Sequence, residues 1–342
     1  MAVQETGVSY YGISYPEHAG RDFEEMKAHH CTAVLLALTE FDIFFWTHNI
    51  PRIVDEAKKA GLTVYLNTWG IGKFFGGEAP SRFLQECHPH DRQWTAGTGE
   101  PLAAASPSSP AFREYVWEIV DRLARDCDAD GFFWDEPHYA MPIDPVGYQS
   151  TADWSCRSPL TQEIFRRRYG YEMPKTLTET VRRFRHDQAN ELLSEAGRIA
   201  KARNPRLRIT QCSLPAENNY YVSYQRGFDD WERIAANPLY DIFSTSIVVS
   251  YDVSLDVHRR LAEKTVSLAR RHGKVPQRWI MSYFDSPRPV TVIKDIARCY
   301  AEAGIESIFS WTYRAGKGTF LEAPDPDLAW ATLGEAFAEV RR

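Results

Sequence analysis

The chain has 342 residues, with 40 Lys and Arg against 46 Asp and Glu, which gives a formal net charge of -6. This balance lacks the basic excess of a nucleic-acid-binding protein, and no run of like charge suggests an interaction tail. No apolar run approaches the roughly 18 residues of a membrane span. We therefore expect neither nucleic acid nor membrane as a partner, and the composition leaves a homo-oligomer open.

The N-terminal stretch MAVQETGVSYYGISYP has neither the basic segment nor the apolar core of a secretory signal peptide. The six cysteines are scattered without CxxC spacing. In a chain of this size, such cysteines are typical of small buried side chains in a reducing compartment. The sequence therefore predicts a cytoplasmic protein.

Short β-rich runs alternate with amphipathic helices along the whole chain. The predicted strands cover residues 8–16, 32–40, 62–70, 130–139, 207–215, 241–251, 277–285 and 305–313, and the apolar half of the fourth is 131–134. Helix boundaries between them are clear. Ser109 can cap the helix before the fourth strand and Pro110 fits its first turn, while Gly61, Gly273 and Gly304 are suitable helix ends.

Eight strand–helix units in series, without a composition break, match a (β/α)8 barrel. A doubly wound open sheet is the alternative, but it usually carries a glycine-rich phosphate fingerprint after its first strand. Here the first strand runs into YPEHAG, which has no such fingerprint. We therefore predict an α/β fold, a single TIM barrel with long loops after strands 3 and 4, forming one catalytic domain over residues 1–342.

The active site of such a barrel lies at the C-terminal ends of its strands. The predicted strands of this chain end in carboxylates, rings and a histidine, at Glu40, Trp69, Asp135, Glu136, His138, Tyr139, Asp252, Tyr283, Asp285 and Trp311. Aromatic rings can stack on the C–H faces of a sugar, and carboxylates can bind its hydroxyls. The strand ends therefore favour a small carbohydrate as the substrate, with no cofactor.

Cleavage of a glycosidic bond needs two carboxyl groups, one to protonate the leaving oxygen and one to attack the sugar or activate water. The stretch DGFFWDEPHY, at residues 130–139, runs from a buried strand into two adjacent carboxylates. Glu136 is the predicted acid, because the like charge of Asp135 beside it would raise one of the two pKa values. The structural alternative is that one of the pair caps a helix or binds an arginine.

DGFFWDEPHY resembles the fourth strand of (β/α)8 glycoside hydrolases of the large retaining clan, which ends in an Asn-Glu-Pro type motif. Asp135, Glu136 and Pro137 take the places of that motif, and the resemblance implies that Glu136 is the acid/base. Trp311, in FSWTY, is similar to the platform tryptophan of the eighth strand. The clan places a nucleophilic Glu on the seventh strand, where RWIMSYFDS offers only Asp285.

Three other glycosidase templates compete. Chitinase-like enzymes carry D-G-x-D-x-D-x-E, of which this sequence keeps Asp130, Gly131 and Asp135. Substrate-assisted hexosaminidases use an adjacent Asp-Glu pair, which Asp135 and Glu136 resemble in type and order. A layout similar to α-galactosidase barrels would use Asp135 as nucleophile and Asp252 as acid. The second catalytic carboxylate therefore stays open between Asp135 and Asp285, with Asp252 as a further candidate.

Two other classes of function use the same barrel. A metal-dependent sugar isomerase or epimerase would bind a divalent cation through Glu136, Glu217, Asp252 and Asp285. A catalytically inactive sugar-binding barrel would keep only the cleft. The His-x-His pair at residues 88–90 lies in a loop without partners at metal-site spacing, so we predict no metal there.

Overall fold

The computed structural model describes residues 2–11, 15–77, 79–141, 153–214, 226–246, 254–282 and 290–342. Its strands are β1 (Glu5–Tyr10), β2 (Ala33–Ala37), β3 (Thr63–Asn67), β4 (Arg92–Trp94), β5 (Pro101–Ala105), β6 (Gly131–Trp134), β7 (Arg208–Ser213), β8 (Ile242–Thr245), β9 (Val275–Met281) and β10 (Ser307–Trp311). Eight of them form a closed parallel barrel in the order β1-β2-β3-β6-β7-β8-β9-β10, and β10 pairs with β1. The predicted single TIM barrel is confirmed.

Helices surround this barrel. In the part of the chain that the structure describes they are α1 (Pro16–Ala28), α2 (Glu40–Phe45), α3 (Asn49–Lys59), α4 (Arg82–Glu86), α5 (Pro110–Asp126), α6 (Pro159–Tyr169), α7 (Glu179–Arg203), α8 (Trp231–Ala235), α9 (Leu255–Arg271), α10 (Val292–Ala303) and α11 (Pro326–Val340). Ser109 caps α5, because its hydroxyl accepts a hydrogen bond from the backbone N–H of Phe112 at 3.1 Å. Gly304 ends α10 with a φ of 93°. No described helix has both the length and the apolar character needed to cross a membrane.

The long connection between β3 and β6 contains structure that the sequence pattern did not reveal. It holds α4 and an antiparallel hairpin of β4 and β5. The side chain of Gln93, on β4, accepts hydrogen bonds from the backbone N–H of Ala140 at 2.8 Å and from the hydroxyl of Ser155 at 2.7 Å. The hairpin therefore holds the loop that follows β6. The sequence pattern did not predict β4, because a strand of three residues is too short to show an alternation of apolar and polar residues.

The start of β6 is fixed at the end of the barrel opposite the strand C-termini. Asp130 accepts hydrogen bonds from Lys58 Nζ at 2.6 Å and from the backbone N–H of Val64 at 2.8 Å. The next residue, 131, is a glycine because a Cβ there would stand only 2.3 Å from the carbonyl oxygen of Arg208 on the adjacent strand. The Asp130-Gly131 pair therefore has a structural explanation.

Candidate active site

A cavity of about 570 Å³ opens at the C-terminal ends of the barrel strands. Its volume lies within the roughly 300–1,000 Å³ of small-molecule sites. Side chains on the barrel strands or directly after them reach it, and these are Tyr11, Leu35, Asn67, Phe133, Asp135, Glu136, Cys212, Ser246, Trp279, Trp311 and Thr312. Their number shows that the barrel itself forms the floor of the cavity.

Asp135 and Glu136 both line this cavity although they are neighbours in the chain. Alternation along β6 turns Phe133 and Asp135 toward the barrel interior, while Trp134 packs beside Phe132 on the other side. Glu136 would follow Trp134 outward, but its φ of +40° turns the chain back. Non-glycine residues seldom adopt this left-handed conformation, and when they do it is often at functional sites. The backbone strain at Glu136 thus brings two carboxyl groups to one cavity.

The two carboxyl groups hold their protons more tightly than isolated ones. Burial and the neighbouring Glu136 charge raise the pKa of Asp135 to about 8, against a smaller opposing effect of the Asn67 side chain. Burial also raises the pKa of Glu136, and the hydroxyl of Ser246 and the charge of Arg226 partly offset this. Near pH 7 Asp135 therefore retains its proton, and Glu136 is protonated more readily than an isolated carboxyl group, as an acid catalyst requires.

His138 is held as a neutral ring beside this pair. Its Nδ1 donates a hydrogen bond to the backbone carbonyl oxygen of Glu136 at 2.7 Å. Burial and the nearby charge of Arg226 lower the pKa of His138 to about 3. A neutral imidazole that donates through Nδ1 has an acceptor at Nε2. Since His138 lines the cavity, that acceptor is available for a donor such as a hydroxyl.

The glycine-rich segment at residues 70–77 forms one wall of the cavity, through Lys73, Phe75, Gly76 and Gly77. The backbone N–H of Gly76 donates a hydrogen bond to the carbonyl oxygen of Asp135 at 2.7 Å. The backbone N–H of His138 donates one to the carbonyl oxygen of Phe74 at 2.9 Å. These two bonds tie the segment to the chain on both sides of Glu136. It therefore acts as part of the frame that fixes the carboxylates.

Three tryptophan rings line the cavity, and the sequence predicts Trp69 and Trp311 among them. Trp279 is the third. It lies in β9, donates from Nε1 to the hydroxyl of Ser244 at 3.1 Å, and packs edge-on against Phe133 with ring centroids 5.4 Å apart. Its position inside a strand, away from the strand end, is why a search of strand ends missed it.

Glu40 is predicted to bind a substrate hydroxyl, but the structure gives it other partners. Its carboxylate is buried and accepts four hydrogen bonds, from the backbone N–H groups of Gly72 and Phe83, each at 2.8 Å, and the hydroxyls of Ser81 and Tyr115, each at 2.7 Å. It does not line the cavity. The predicted strand end is instead the start of α2, capped by Thr39 and Asp42. We correct its assignment to support of the loop behind the cavity.

Tyr139 also needs a correction. It is buried, and its hydroxyl donates a hydrogen bond to the backbone carbonyl oxygen of Arg185 at 2.9 Å. Its backbone N–H donates to the carbonyl oxygen of Arg226 at 2.7 Å. The guanidinium of Arg185 stands 4.4 Å from the centre of the Tyr139 ring. Tyr139 therefore packs behind the cavity wall and does not form part of it.

Three predicted site residues, Asp252, Tyr283 and Asp285, lie outside the described residues, as does Glu217 of the alternative metal site. Among the residues that the structure describes, no group of three or more His, Cys, Asp or Glu side chains could hold a metal ion. The rings of His88 and His90 stack on each other, with centroids 4.4 Å apart.

Arg226 and Ser246 are site residues that the sequence pattern did not single out. Both line the cavity, and both act on Glu136, the first through its charge and the second through a hydrogen bond. Ser246 directly follows β8, but the predicted sixth strand runs on to residue 251, so inspection of the predicted strand ends did not reach it. Arg226 lies well beyond the end of β7 at Ser213, so no spacing rule points to it.

No protein-family model and no curated protein sequence matches the chain. Solved structures do match in fold. The β-galactosidase from Rahnella sp. R3 superposes with a TM-score of 0.71 at 16% identity, over 100% of this chain and 57% of that one. The catalytic domain of β-amylase from Paenibacillus polymyxa superposes with a TM-score of 0.67 at 11% identity, over 98% of this chain and 100% of that one. The α-L-fucosidase isoenzyme 2 from Paenibacillus thiaminolyticus superposes with a TM-score of 0.63 at 12% identity, over 99% of this chain and 49% of that one.

These likenesses show a shared fold, and the chain spans little more than half the length of the β-galactosidase. Fold and cavity together define a (β/α)8 barrel that carries two adjacent carboxyl groups with raised pKa values at its C-terminal face.

Proposed function

We propose that this chain is a glycoside hydrolase that cleaves small glycosides or oligosaccharides, and that residues 1–342 form one catalytic domain. The observation that carries the proposal is the half-buried Asp135–Glu136 pair, which lies inside a cavity lined by three tryptophan rings, where desolvation raises the pKa of both carboxyl groups. The names of the superposed enzymes, a β-galactosidase, a β-amylase and an α-L-fucosidase, support the same class of reaction.

In this proposal Glu136 protonates the oxygen of the leaving group. Its backbone is fixed by the segment at residues 70–77, and Ser246 and Arg226 stabilise the carboxylate that remains after proton transfer. Asp135 or Asp285 supplies the second carboxyl group. A nucleophile about 5–5.5 Å from the acid gives retention of configuration, and a base about 6.5–9.5 Å away gives inversion.

Trp69 and Trp311 are proposed to stack on the sugar, since both rings face the cavity and are partly exposed to it. His138 is proposed to accept a hydrogen bond from a hydroxyl through Nε2. Because the barrel closes the floor, a longer substrate can extend only toward the mouth.

The proposal is tested on a panel of nitrophenyl glycosides of both anomers. The wild type is expected to release nitrophenol from at least one member, which identifies the sugar. Glu136→Gln should then lower kcat at least 100-fold for an oligosaccharide of that sugar, whose leaving oxygen needs a proton, which is the lower range for loss of a general acid. Glu302→Gln is the matched control, because Glu302 is exposed on α10 and pairs with Arg259. A wild type that cleaves no member, or a Glu136→Gln variant that keeps full turnover, would contradict the proposal.

A further inference from the structure

The mouth of the cavity carries a strongly exposed apolar side chain, Phe320. Phe320 lies in the loop after β10, lines the cavity and is 85% exposed. No aromatic ring of the described residues packs against it. A large apolar side chain so exposed gains little from folding. Its place on the rim of a binding cavity therefore points to a ligand.

The loop holds Phe320 in this place. Gly316 takes a φ of 75°, and a Cβ there would stand 2.6 Å from the carbonyl oxygen of Leu321. The hydroxyl of Thr319 donates to the carbonyl oxygen of Gly316 at 2.6 Å and accepts from the N–H of Leu321 at 3.1 Å. Residues on both sides of Phe320 are thus fixed by local bonds, so the exposure of its ring is built into the loop.

The start of the loop is joined to α1. The hydroxyl of Tyr313 donates to Asp22 and to Glu25, each at 3.1 Å, and the Nε of Arg314 donates to Glu25 at 2.9 Å. These contacts hold the rim against the outer helices of the barrel. The loop that carries Phe320 is therefore already held in place before a ligand binds. Binding then costs little conformational entropy for ordering this loop, which favours affinity.

Depth in the cavity separates two kinds of lining. The carboxyl pair, Asn67 and Trp279 lie in the interior, whereas Ala103, Thr319 and Phe320 are exposed at the mouth. None of these three mouth residues is charged, and two of the three are apolar. The interior suits the hydroxyls of a sugar, and the mouth suits a group with an apolar face.

We propose that Phe320 forms the binding site for the leaving group of the substrate, and that this group presents an apolar ring face. The inference rests on the proposed glycoside hydrolase function, in which the reacting sugar occupies the interior and the leaving group points toward the mouth. An aryl ring and the C–H face of a second sugar share this chemistry, and both can stack on a phenyl ring.

The test measures binding, so it does not depend on turnover. Methyl, phenyl and sugar-linked thioglycosides of the sugar found with the nitrophenyl panel are titrated by calorimetry. If the panel gives none, phenyl thioglycosides of both anomers are screened by thermal shift. Phe320→Ala is compared with Phe320→Tyr, which keeps a ring, and with Phe41→Ala, a control at another exposed Phe that does not line the cavity.

Phe320→Ala is expected to weaken the phenyl thioglycoside about 5- to 20-fold, from the loss of ring stacking and apolar contact. The methyl thioglycoside should change less than about two-fold, and Phe320→Tyr and Phe41→Ala should bind as the wild type does. The sugar-linked thioglycoside identifies the chemical class of the natural leaving group. If Phe320→Ala weakens its binding as well, the leaving group is a sugar, and if only the phenyl thioglycoside binds more weakly, the leaving group is an aryl ring.

Equal losses for methyl and phenyl probes, no loss for either, or no binding of any phenyl thioglycoside would each overturn the inference. The outcomes separate it from the proposed function. Hydrolysis without an effect of Phe320→Ala contradicts the inference alone. Phe320-dependent binding without any hydrolysis contradicts the proposed function alone, and indicates a sugar-binding barrel.

Discussion

The side-chain Nδ2 of Asn67 donates a hydrogen bond to Oδ2 of Asp135 at 2.9 Å. Asn67 ends β3, and Asp135 follows the end of the adjacent strand β6, so the bond links two neighbouring strand ends. It favours the charged form of Asp135 and opposes the effects of burial and of Glu136. The proton affinity of the carboxyl pair is therefore set partly by a strand that carries neither carboxylate.

Removal of this bond should shift the pH dependence of activity. The wild type is expected to lose activity as the pH rises through about 8, where Asp135 gives up its proton and becomes a second negative charge beside Glu136. Asn67→Ala removes a donor to the carboxylate and should move this alkaline limb upward by about one pH unit. The measurement is kcat/KM against pH for a cleaved nitrophenyl glycoside.

Asn190→Ala is the control for that experiment, because Asn190 accepts a hydrogen bond from Asn237 at 2.9 Å and does not line the cavity. Its alkaline limb should coincide with that of the wild type. An alkaline limb of Asn67→Ala at or below the wild-type position would show that Asp135 does not set it.

The raised pKa of Asp135 also predicts a stability cost. Between its ordinary pKa of 3.8 and about 8, the folded protein binds more protons than the unfolded chain, so the free energy of unfolding falls as pH rises through this range. Asp135→Asn keeps an oxygen for Asn67 and cannot ionise. It should raise the free energy of unfolding at pH 8 by roughly 0.5–2 kcal/mol. Denaturant titrations at pH 4 and pH 8 measure this.

The gain should be smaller at pH 4, where Asp135 is already protonated in the folded protein. Asp126→Asn is the control, because Asp126 is an exposed residue whose pKa the hydrogen bond from Arg125 lowers. A stability gain of Asp135→Asn that is equal at both pH values would rule out titration as its cause.

Glu40 should matter for stability through its four buried hydrogen bonds. Glu40→Ala leaves two backbone N–H groups and two hydroxyls without their acceptor, and should lower the free energy of unfolding by about 2–4 kcal/mol. Tyr115→Phe removes one of these bonds and should cost about 1 kcal/mol. Thermal and denaturant melts compare the two variants, and equal losses would contradict the shared role of the carboxylate.

Gly77 should control the position of the Trp69 ring. Its φ is +121°, and a Cβ there would stand 2.2 Å from Nε1 of Trp69. Gly77→Ala should displace the indole and raise KM at least three-fold for a cleaved glycoside, because the ring is proposed to stack on the sugar. Gly99→Ala is the matched control, since Gly99 also has a positive φ but nothing within 4 Å of its Cβ position. Gly99→Ala should lose stability with an unchanged KM, and a similar KM for both variants would contradict the stacking role.

The barrel could be predicted from the sequence because each strand–helix unit has a local signal. Apolar runs between glycine and proline boundaries mark the strands, and the cap at Ser109 and the end at Gly304 appear as predicted. The hairpin of β4 and β5 could not be predicted, because its strands hold only three and five residues and because Gln93 on β4 bonds to residues distant in sequence, Ala140 and Ser155.

The site could be predicted only in part, and the reason is that strand ends look alike in sequence. Asp135, Glu136, His138, Trp69 and Trp311 reach the cavity as the location rule suggests. Glu40 is predicted by the same rule, but it does not reach the cavity. It begins the six-residue helix α2, whose start turns the carboxylate toward α4 and α5. Which way a carboxylate points after a strand depends on backbone dihedral angles that no spacing pattern contains.

The left-handed backbone of Glu136 has a practical consequence for crystallography. Among residues with side chains, asparagine adopts positive φ most readily. Glu136→Asn should therefore remove the proposed acid while relieving backbone strain, which makes an inactive protein that is at least as easy to purify as the active one. Such a variant is the natural choice for trapping an uncleaved substrate in a crystal, where the sugar, its anomer and the carboxylate opposite would be seen directly.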